Sequence, residues 1–387
     1  MSPQPRLKVA VVSSSLPKEC GIATFSDHLN AALRKSGVII SVAALHEQPH
    51  LGRSYPADVK RIIKDKDPDS YKAAADWINR GPFEVAVIQH EHGLYGPGDG
   101  ALIFPFLERI KKPIVMVFHT VGLTSTARFR GTRLRQLRRM VALSHRTVVT
   151  SHVTKRGLVQ EGFPSRKLVV LHHGTYPYPH PDPTRSARAK RSLDLAGTPI
   201  LFSPGLIRDS KGLETTIRAL PQIRKHHPGT TYLISGALNP GHRNVAYYEG
   251  LQQLAQDKRV TDGVRFEKRF MTDQELVTRF LAADAVVLPY RRLEQVSSGV
   301  LAEAVGAGTI PITTPFSYAT ELAAGNRGYF IRPGSAKAVA HAVIDLLDDP
   351  AKAQRRRERV YKFGQQTHWP VIGQKYAELL RSSARRT

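Results

Sequence analysis

The stretch 293–308, Leu-Glu-Gln-Val-Ser-Ser-Gly-Val-Leu-Ala-Glu-Ala-Val-Gly-Ala-Gly, decides how this chain is read, because it forms a small-residue turn opening a helix. The first backbone N–H groups of a helix lack intrahelical acceptors, and the aligned peptide dipoles add about half a positive charge there. The segment Ser297, Ser298, Gly299, Val300 and Leu301 is therefore predicted to hold a phosphate. Glu303 follows about one turn later, within reach of a ribose diol beside that phosphate, while Ala304, Gly306, Ala307 and Gly308 permit close approach of backbone or ligand. An ordinary N-capped core helix of a parallel α/β domain would give the same pattern, and this stretch alone leaves both readings open.

A partner segment upstream tips the balance. Residues 201–212, LFSPGLIRDSKG, read as an apolar strand followed by a tight loop with two cations, and Leu213, Ile217, Leu220 and Ile223 continue at helical spacing. Arg208 can fork onto phosphate oxygens and Lys211 can supply a point charge, so the two would neutralise a diphosphate leaving group.

Other pieces occur in a fixed order: VAVVSSSLPKECGIATF from Val9, then VAVIQHEHGLYG, VMVFHTVG, LHHG, SPGLIRDSKG, YLISGALNP, ADAVVLPY and SSGVLAEAVGAG. In kind and order they resemble the retaining nucleotide-sugar glycosyltransferases of family 4 (glycosyl transferases group 1), and the resemblance covers nearly the whole chain. It implies the GT-B fold: α/β, with two Rossmann-like doubly wound domains facing across a cleft.

Composition is compatible with that. At 387 residues and 41% hydrophobic content, the chain can build two ordinary cores. No apolar run approaches the roughly 18 residues that span a bilayer, and Val9–Val12 is interrupted too soon by Lys18 and Glu19 for a signal peptide, which predicts a cytoplasmic protein. Cys20 is the single cysteine, so neither an intrachain disulfide nor a cysteine-based zinc site can form, and its thiol is expected to be incidental.

The net charge of +25 favours an anionic neighbour. Arg128, Arg130, Arg133, Arg135, Arg138 and Arg139 crowd one predicted helix, whose inward stripe is Leu134, Leu137 and Val141. Two readings stand: peripheral docking on an anionic membrane or a lipid-phosphate acceptor, and a plainly solvated basic face. Nucleic acid is not the expected partner, because aromatic residues are few and are not interleaved with the basic clusters.

Apolar strands alternate with helical patterns along the chain, which predicts parallel, doubly wound sheets. The first series runs 8–13, 38–45, 85–89, 114–119, 147–151 and 168–171; the second runs 200–203, 231–235, 264–266, 285–289, 310–313 and 328–331. Between them the proline-dense span from Tyr176 to about Lys190 reads as a stiff linker rather than a helix. The expected division is an acceptor-side domain 1–180, a linker 181–197 and a nucleotide-sugar domain 198–368. The amphipathic terminal segment 369–382 is implied by the resemblance to brace the first domain.

Ligands of open α/β sheets lie beyond the carboxyl ends of strands, so the loops there are the candidates. Gly21, in the loop after the first strand, would let backbone approach the donor. That loop lacks a GxGxxG fingerprint, which argues against a dinucleotide-dependent oxidoreductase. His119 ends the strand 114–118; the resemblance implies contact with sugar hydroxyls, and a structural hydrogen-bonding role is the alternative. Gln89-His90-Glu91-His92 hints at a metal, but adjacent strand residues face opposite ways and no further ligand set is evident. His90, Glu91 and, at the interdomain hinge, His173 are expected on the acceptor side. Phe270, in the segment 266–270, is expected to help recognise the base by stacking.

The family pattern calls for two glutamates separated by seven residues. Counting back from Glu303 puts Gln295 at the first position, with Glu294 one residue earlier. A glutamine can hydrogen-bond sugar hydroxyls but cannot stabilise an oxocarbenium-like charge as a carboxylate does. Gln295 positions the sugar, or Glu294 has taken over through a shifted loop, or transferase activity is weak. The expected chemistry is front-face transfer of a hexose with retention from a GDP-mannose or UDP-glucose type donor to a glycan, lipid-linked or small-molecule hydroxyl. His119, Arg208, Lys211, Glu294 and Gln295 form the catalytic set, with neither metal nor cofactor required. The alternatives are a GT-B-type phosphorylase, a nucleotide-sugar epimerase and a noncatalytic nucleotide-sugar or anionic-surface binder.

Overall fold

The computed structural model describes residues 6–46, 54–122, 127–238 and 242–385, leaving aside the side chains of 46, 127–130, 242 and 243. The chain divides into two units, one of residues 1–174 plus 369–387 and the other of residues 175–368.

Unit 1 holds a seven-stranded parallel sheet: β1 (Lys8–Ser13), β2 (Ile39–His46), β3 (Val59–Lys64), β4 (Val85–His90), β5 (Ile114–Phe118), β6 (Arg146–Val149) and β7 (Leu168–Val170). Their order is β3-β2-β1-β4-β5-β6-β7, so the direction of winding reverses between β1 and β4. The central strands are near-continuous apolar runs, because helices cover both faces and leave no polar side. Edge strand β3 was not foreseen: Lys60, Arg61 and Lys64 leave Ile63 as its one buried residue, a pattern that reads as loop. The terminal helix Trp369–Ala384 belongs to this unit and packs on the helix Gly21–Lys35.

Unit 2 holds β8 (Ile200–Pro204), β9 (Thr231–Ser235), β10 (Val264–Glu267), β11 (Ala285–Leu288), β12 (Ile310–Thr313) and β13 (Tyr329–Phe330), again parallel. Their order is β10-β9-β8-β11-β12-β13, with the reversal between β8 and β11.

Two sequence expectations need correction. The division falls at Gly174 rather than near 180, and the span expected to be a stiff linker contains the helix Pro183–Arg191 within unit 2. Its proline sits at the first helical position, where the missing N–H costs nothing, and the Asp182 carboxylate accepts from Thr184 N–H. Proline density misled because Pro183 starts a helix instead of interrupting one, while Pro177, Pro179 and Pro181 all precede it. Among the described residues no helix is long and apolar enough to cross a membrane.

Candidate active site

In unit 2 the loops after β8 and β11 flank the point where strand order reverses, the place where parallel sheets bind ligands. Several contacts hold them together. Gly212 has φ +64°, and a Cβ there would lie 2.2 Å from the Pro289 carbonyl oxygen, so only glycine lets the loop close so far onto β11. Arg291 N–H donates to the Ser210 carbonyl (3.1 Å), and the Arg291 guanidinium pairs with Glu214 (2.8 Å). Glu214 in turn accepts from the Tyr247 hydroxyl (2.6 Å), and Leu213 N–H donates to that same hydroxyl oxygen (2.9 Å).

Both predicted cations stand in this latched loop. Lys211 Nζ lies 3.9 Å from the centroid of the Tyr290 ring and pairs with no carboxylate among the described residues. Arg208 precedes the short turn Asp209–Lys211, half-buried, its Nε without a hydrogen-bond partner.

The helix Gly299–Gly306 starts beside Gly205, at the beginning of the loop that carries them: a Cβ on Gly205 would sit 3.5 Å from Val300 Cγ2. Ser298 is its N-cap, and its hydroxyl accepts from Leu301 N–H (3.2 Å). That narrows the phosphate prediction. Leu301 N–H is occupied, whereas Gly299 and Val300 N–H have no acceptor among the described residues. Glu303, expected at a ribose, accepts from Tyr176 N–H (3.3 Å), and its charge, second to burial, pushes the Tyr178 hydroxyl pKa well up.

Gln295 donates through Nε2 to the Ser297 carbonyl (2.8 Å), while its own carbonyl accepts from Tyr318 N–H (3.1 Å). Glu294 is half-buried beside it. The base-recognition segment is more occupied than the sequence implied. Glu267 is gripped by Arg279 (2.7 and 2.8 Å) and Ser235, Arg269 pairs with Glu275, and Lys268 lies over Tyr248, leaving Phe270, 41% exposed, as the surface able to stack.

In unit 1 the reversal lies between β1 and β4. Gly21 is the first residue of the helix Gly21–Lys35, and a Cβ there would meet nothing within 4 Å. Cys20, expected to be incidental, is the N-cap of that helix: its Sγ accepts from Ala23 N–H (3.4 Å). His119 donates Nε2–H to Gln89 Oε1 (2.8 Å) and meets the Phe25 ring edge-on (4.8 Å); burial drives its pKa down to about 3. His173 touches the same Phe25 ring (4.9 Å), its Nδ1 bonds the Gly174 carbonyl, and burial lowers its pKa to about 4.

The acceptor-side expectation for His90 needs correction. It is 2% exposed, packed between Tyr95 and Phe118 with its pKa pushed down to about 3 by burial, so its ring cannot meet an acceptor in this structure. Glu91 is better presented, although it already accepts from Thr120 Oγ1 (2.6 Å) and His92 N–H (3.0 Å). The arginine-rich helix Ala127–Leu143 is less free than its charge suggests: Arg133 pairs with Asp99, Arg139 with Glu108, and Arg138 donates to the Glu161 carbonyl. The side chains of Arg128 and Arg130 lie outside the described residues.

Two Rossmann-like parallel units of this kind define the GT-B class of glycosyltransferase. The family model Glycosyl transferases group 1 matches residues 186–363, and that of Glycosyltransferase Family 4 matches residues 20–177; the chain belongs to this family. It is 35% identical over 162 residues to the glycogen synthase of Mycobacterium tuberculosis, which is 40% of this chain and 36% of that one. It is 30% identical over 211 residues to the GDP-mannose-dependent alpha-(1-6)-phosphatidylinositol monomannoside mannosyltransferase of the same organism, 52% of each chain. The chain thus spans between 36% and 52% of these curated relatives. Sucrose-phosphate synthase from Thermosynechococcus elongatus shares the fold with a TM-score of 0.79 at 18% identity, covering 99% of this chain and 100% of that one. The Anabaena protein HepE, solved with UDP and glucose, does so with a TM-score of 0.76 at 15% identity, covering 97% and 100%.

Proposed function

We propose that this protein is a retaining hexosyltransferase that takes its sugar from a nucleoside-diphosphate donor and passes it to a hydroxyl acceptor. The observation that carries the proposal is that Lys211, Arg208 and the open Gly299 and Val300 N–H groups all lie in the two segments that follow β8 and β11, on either side of the strand-order reversal in unit 2. That set opposes negative charge from several directions without a counter-carboxylate, which suits a departing diphosphate. The acceptor oxygen attacks the anomeric carbon on the face the leaving group vacates, the bond from that carbon to the phosphate oxygen breaks, and a phosphate oxygen takes the acceptor's proton. No metal or cofactor is part of this scheme, because the two cations and the helix start supply the charge.

GDP-mannose and UDP-glucose type donors both fit. The names of the mannosyltransferase relative and of the UDP-bound neighbour support one each. The acceptor is a glycan, lipid-linked or small-molecule hydroxyl, and the protein works in the cytoplasm, with peripheral membrane contact through the helix Ala127–Leu143. One observation favours a second reading, a nucleotide-sugar binder without transfer. The Gln295 amide is turned onto its own backbone and brings no charge to the sugar.

The test is product-resolved turnover of purified protein with a panel of nucleotide sugars, with and without acceptors and inorganic phosphate. Acceptor-dependent release of one nucleoside diphosphate is expected. Phosphate-dependent release would indicate a phosphorylase, donor conversion alone an epimerase, and binding without turnover the second reading. In the same assay Lys211→Ala is expected to lower turnover by roughly 100- to 1,000-fold, the cost of removing one preorganised charge contact. Near-normal turnover would remove Lys211 from the catalytic set.

A further inference from the structure

The Lys211 ammonium ends a flexible four-carbon stem, and no carboxylate among the described residues pairs with it. What it does touch is the face of Tyr290. That ring is 2% exposed and stacks on Phe316 with centroids 5.1 Å apart and planes 18° from parallel. The backbone behind it is pinned, since Thr314 Oγ1 donates to the Tyr290 carbonyl (2.8 Å). The Gly212 approach and the Arg291–Ser210 and Arg291–Glu214 contacts bring the lysine-bearing loop down onto this plate. The Tyr290 hydroxyl, by contrast, is buried with no hydrogen-bond partner among the described residues. A tyrosine whose hydroxyl has no hydrogen-bond partner among the described residues, while its face carries a cation, offers its ring as the working part.

We propose that Tyr290 is a positioning residue that holds the Lys211 ammonium in the place where it meets the anion. Only the identity of that anion, a nucleoside diphosphate, rests on the transferase reading. Ring and cation attract through the ring quadrupole, and the contact spares Lys211 a search through its rotamers when the diphosphate arrives.

The experiment is NMR of lysine-labelled protein combined with binding of GDP, UDP and inorganic pyrophosphate. The Lys211 ε-methylene, assigned by its loss in Lys211→Met, is expected upfield of the other lysines through the ring current of Tyr290. It stays there when the bound anion is added. Tyr290→Leu is expected to abolish the shift and weaken binding by about 2- to 30-fold, the span of a cation–π contact from exposed to desolvated. Tyr290→Phe is expected to restore both, and in a Lys211→Met background Tyr290→Leu is expected to cost nothing further. An unshifted Lys211, a shift that vanishes when the anion binds, or the same Tyr290→Leu loss without the lysine would overturn the positioning role, the last by marking Tyr290 as merely structural. Absence of binding by all three anions with the shift intact would instead overturn the diphosphate site.

Discussion

Gln295 shows how far residue types can be read without their partners. Its spacing to Glu303 aligns it with the first glutamate of the family pattern, but where its amide points follows from the turn at 293–298, which spacing does not encode. A carboxylate there could not donate to the Ser297 carbonyl. Gln295→Glu is therefore expected to lose about 1 kcal/mol or somewhat more through the orphaned acceptor and to lower Tm in a thermal melt. An unchanged Tm would show that the bond contributes nothing. Gly212 is the sharper case. Its left-handed φ and the Pro289 carbonyl both exclude a side chain, so Gly212→Ala is expected to cost at least about 1–2 kcal/mol from backbone strain alone and, by lifting Lys211 off Tyr290, to weaken nucleotide binding at least as much as Tyr290→Leu does. Calorimetric titration with GDP or UDP against wild type checks this, and wild-type affinity would dissociate the loop's closure from the site. Arg208, Lys211 and Ser298 were legible because charge and capping chemistry are local; Tyr290 was not, because a buried aromatic at a strand end looks like core until the loop above it is placed.

The ends of β4 and β5 and the segment after β7 bring His90, His119 and His173 into unit 1, all three held neutral by burial, with pKa values near 3, 3 and 4. An unfolded histidine titrates near 6.5, so between about pH 6.5 and 4 the unfolded chain binds protons that the folded chain refuses. Stability contributed by these groups is therefore complete above about pH 7 and falls as pH drops through that window, each histidine adding up to about 1.4 kcal/mol per pH unit of slope. Urea unfolding of unit 1 followed by Trp369 and Trp77 fluorescence is expected to show the midpoint dropping from pH 7 to 5. A midpoint flat across that range would mean that the cluster is charged in the fold. The same elements show what periodicity could and could not deliver. Apolar runs such as Val85–His90 and Ile200–Pro204 announce themselves, whereas β3 hides behind its lysines and the helix Pro183–Arg191 behind its proline.

At the level of the whole chain, the two units are built unequally from the sequence. Unit 2 is one continuous stretch, but unit 1 is completed only by residues 369–387, nearly two hundred positions after the rest of it. Amphipathic period alone marks that last segment as a helix with one buried face; which core receives it is decided by side chains distant in sequence. Trp369, Ile372, Tyr376 and Leu380 are at most 6% exposed within the core that also holds Phe25, Leu29 and Leu33, and Trp369 meets Phe25 edge-on at 5.3 Å. At about 1.5–3 kcal/mol for each large side chain, removing those four withdraws about 6–12 kcal/mol, comparable to the entire stability of a typical domain. A chain ending at His368 is therefore expected to lose the protection of β1–β7 amides in hydrogen exchange, while β8–β13 amides stay protected and Lys211 keeps its contact with Tyr290. GDP or UDP, whichever the full chain binds, should still slow exchange in the loops after β8 and β11, because the residues proposed to bind it all lie in unit 2. Retained protection across β1–β7 would mean that the core of unit 1 closes without its last helix, and loss of protection in both sheets would mean that unit 2 depends on unit 1 for its own stability.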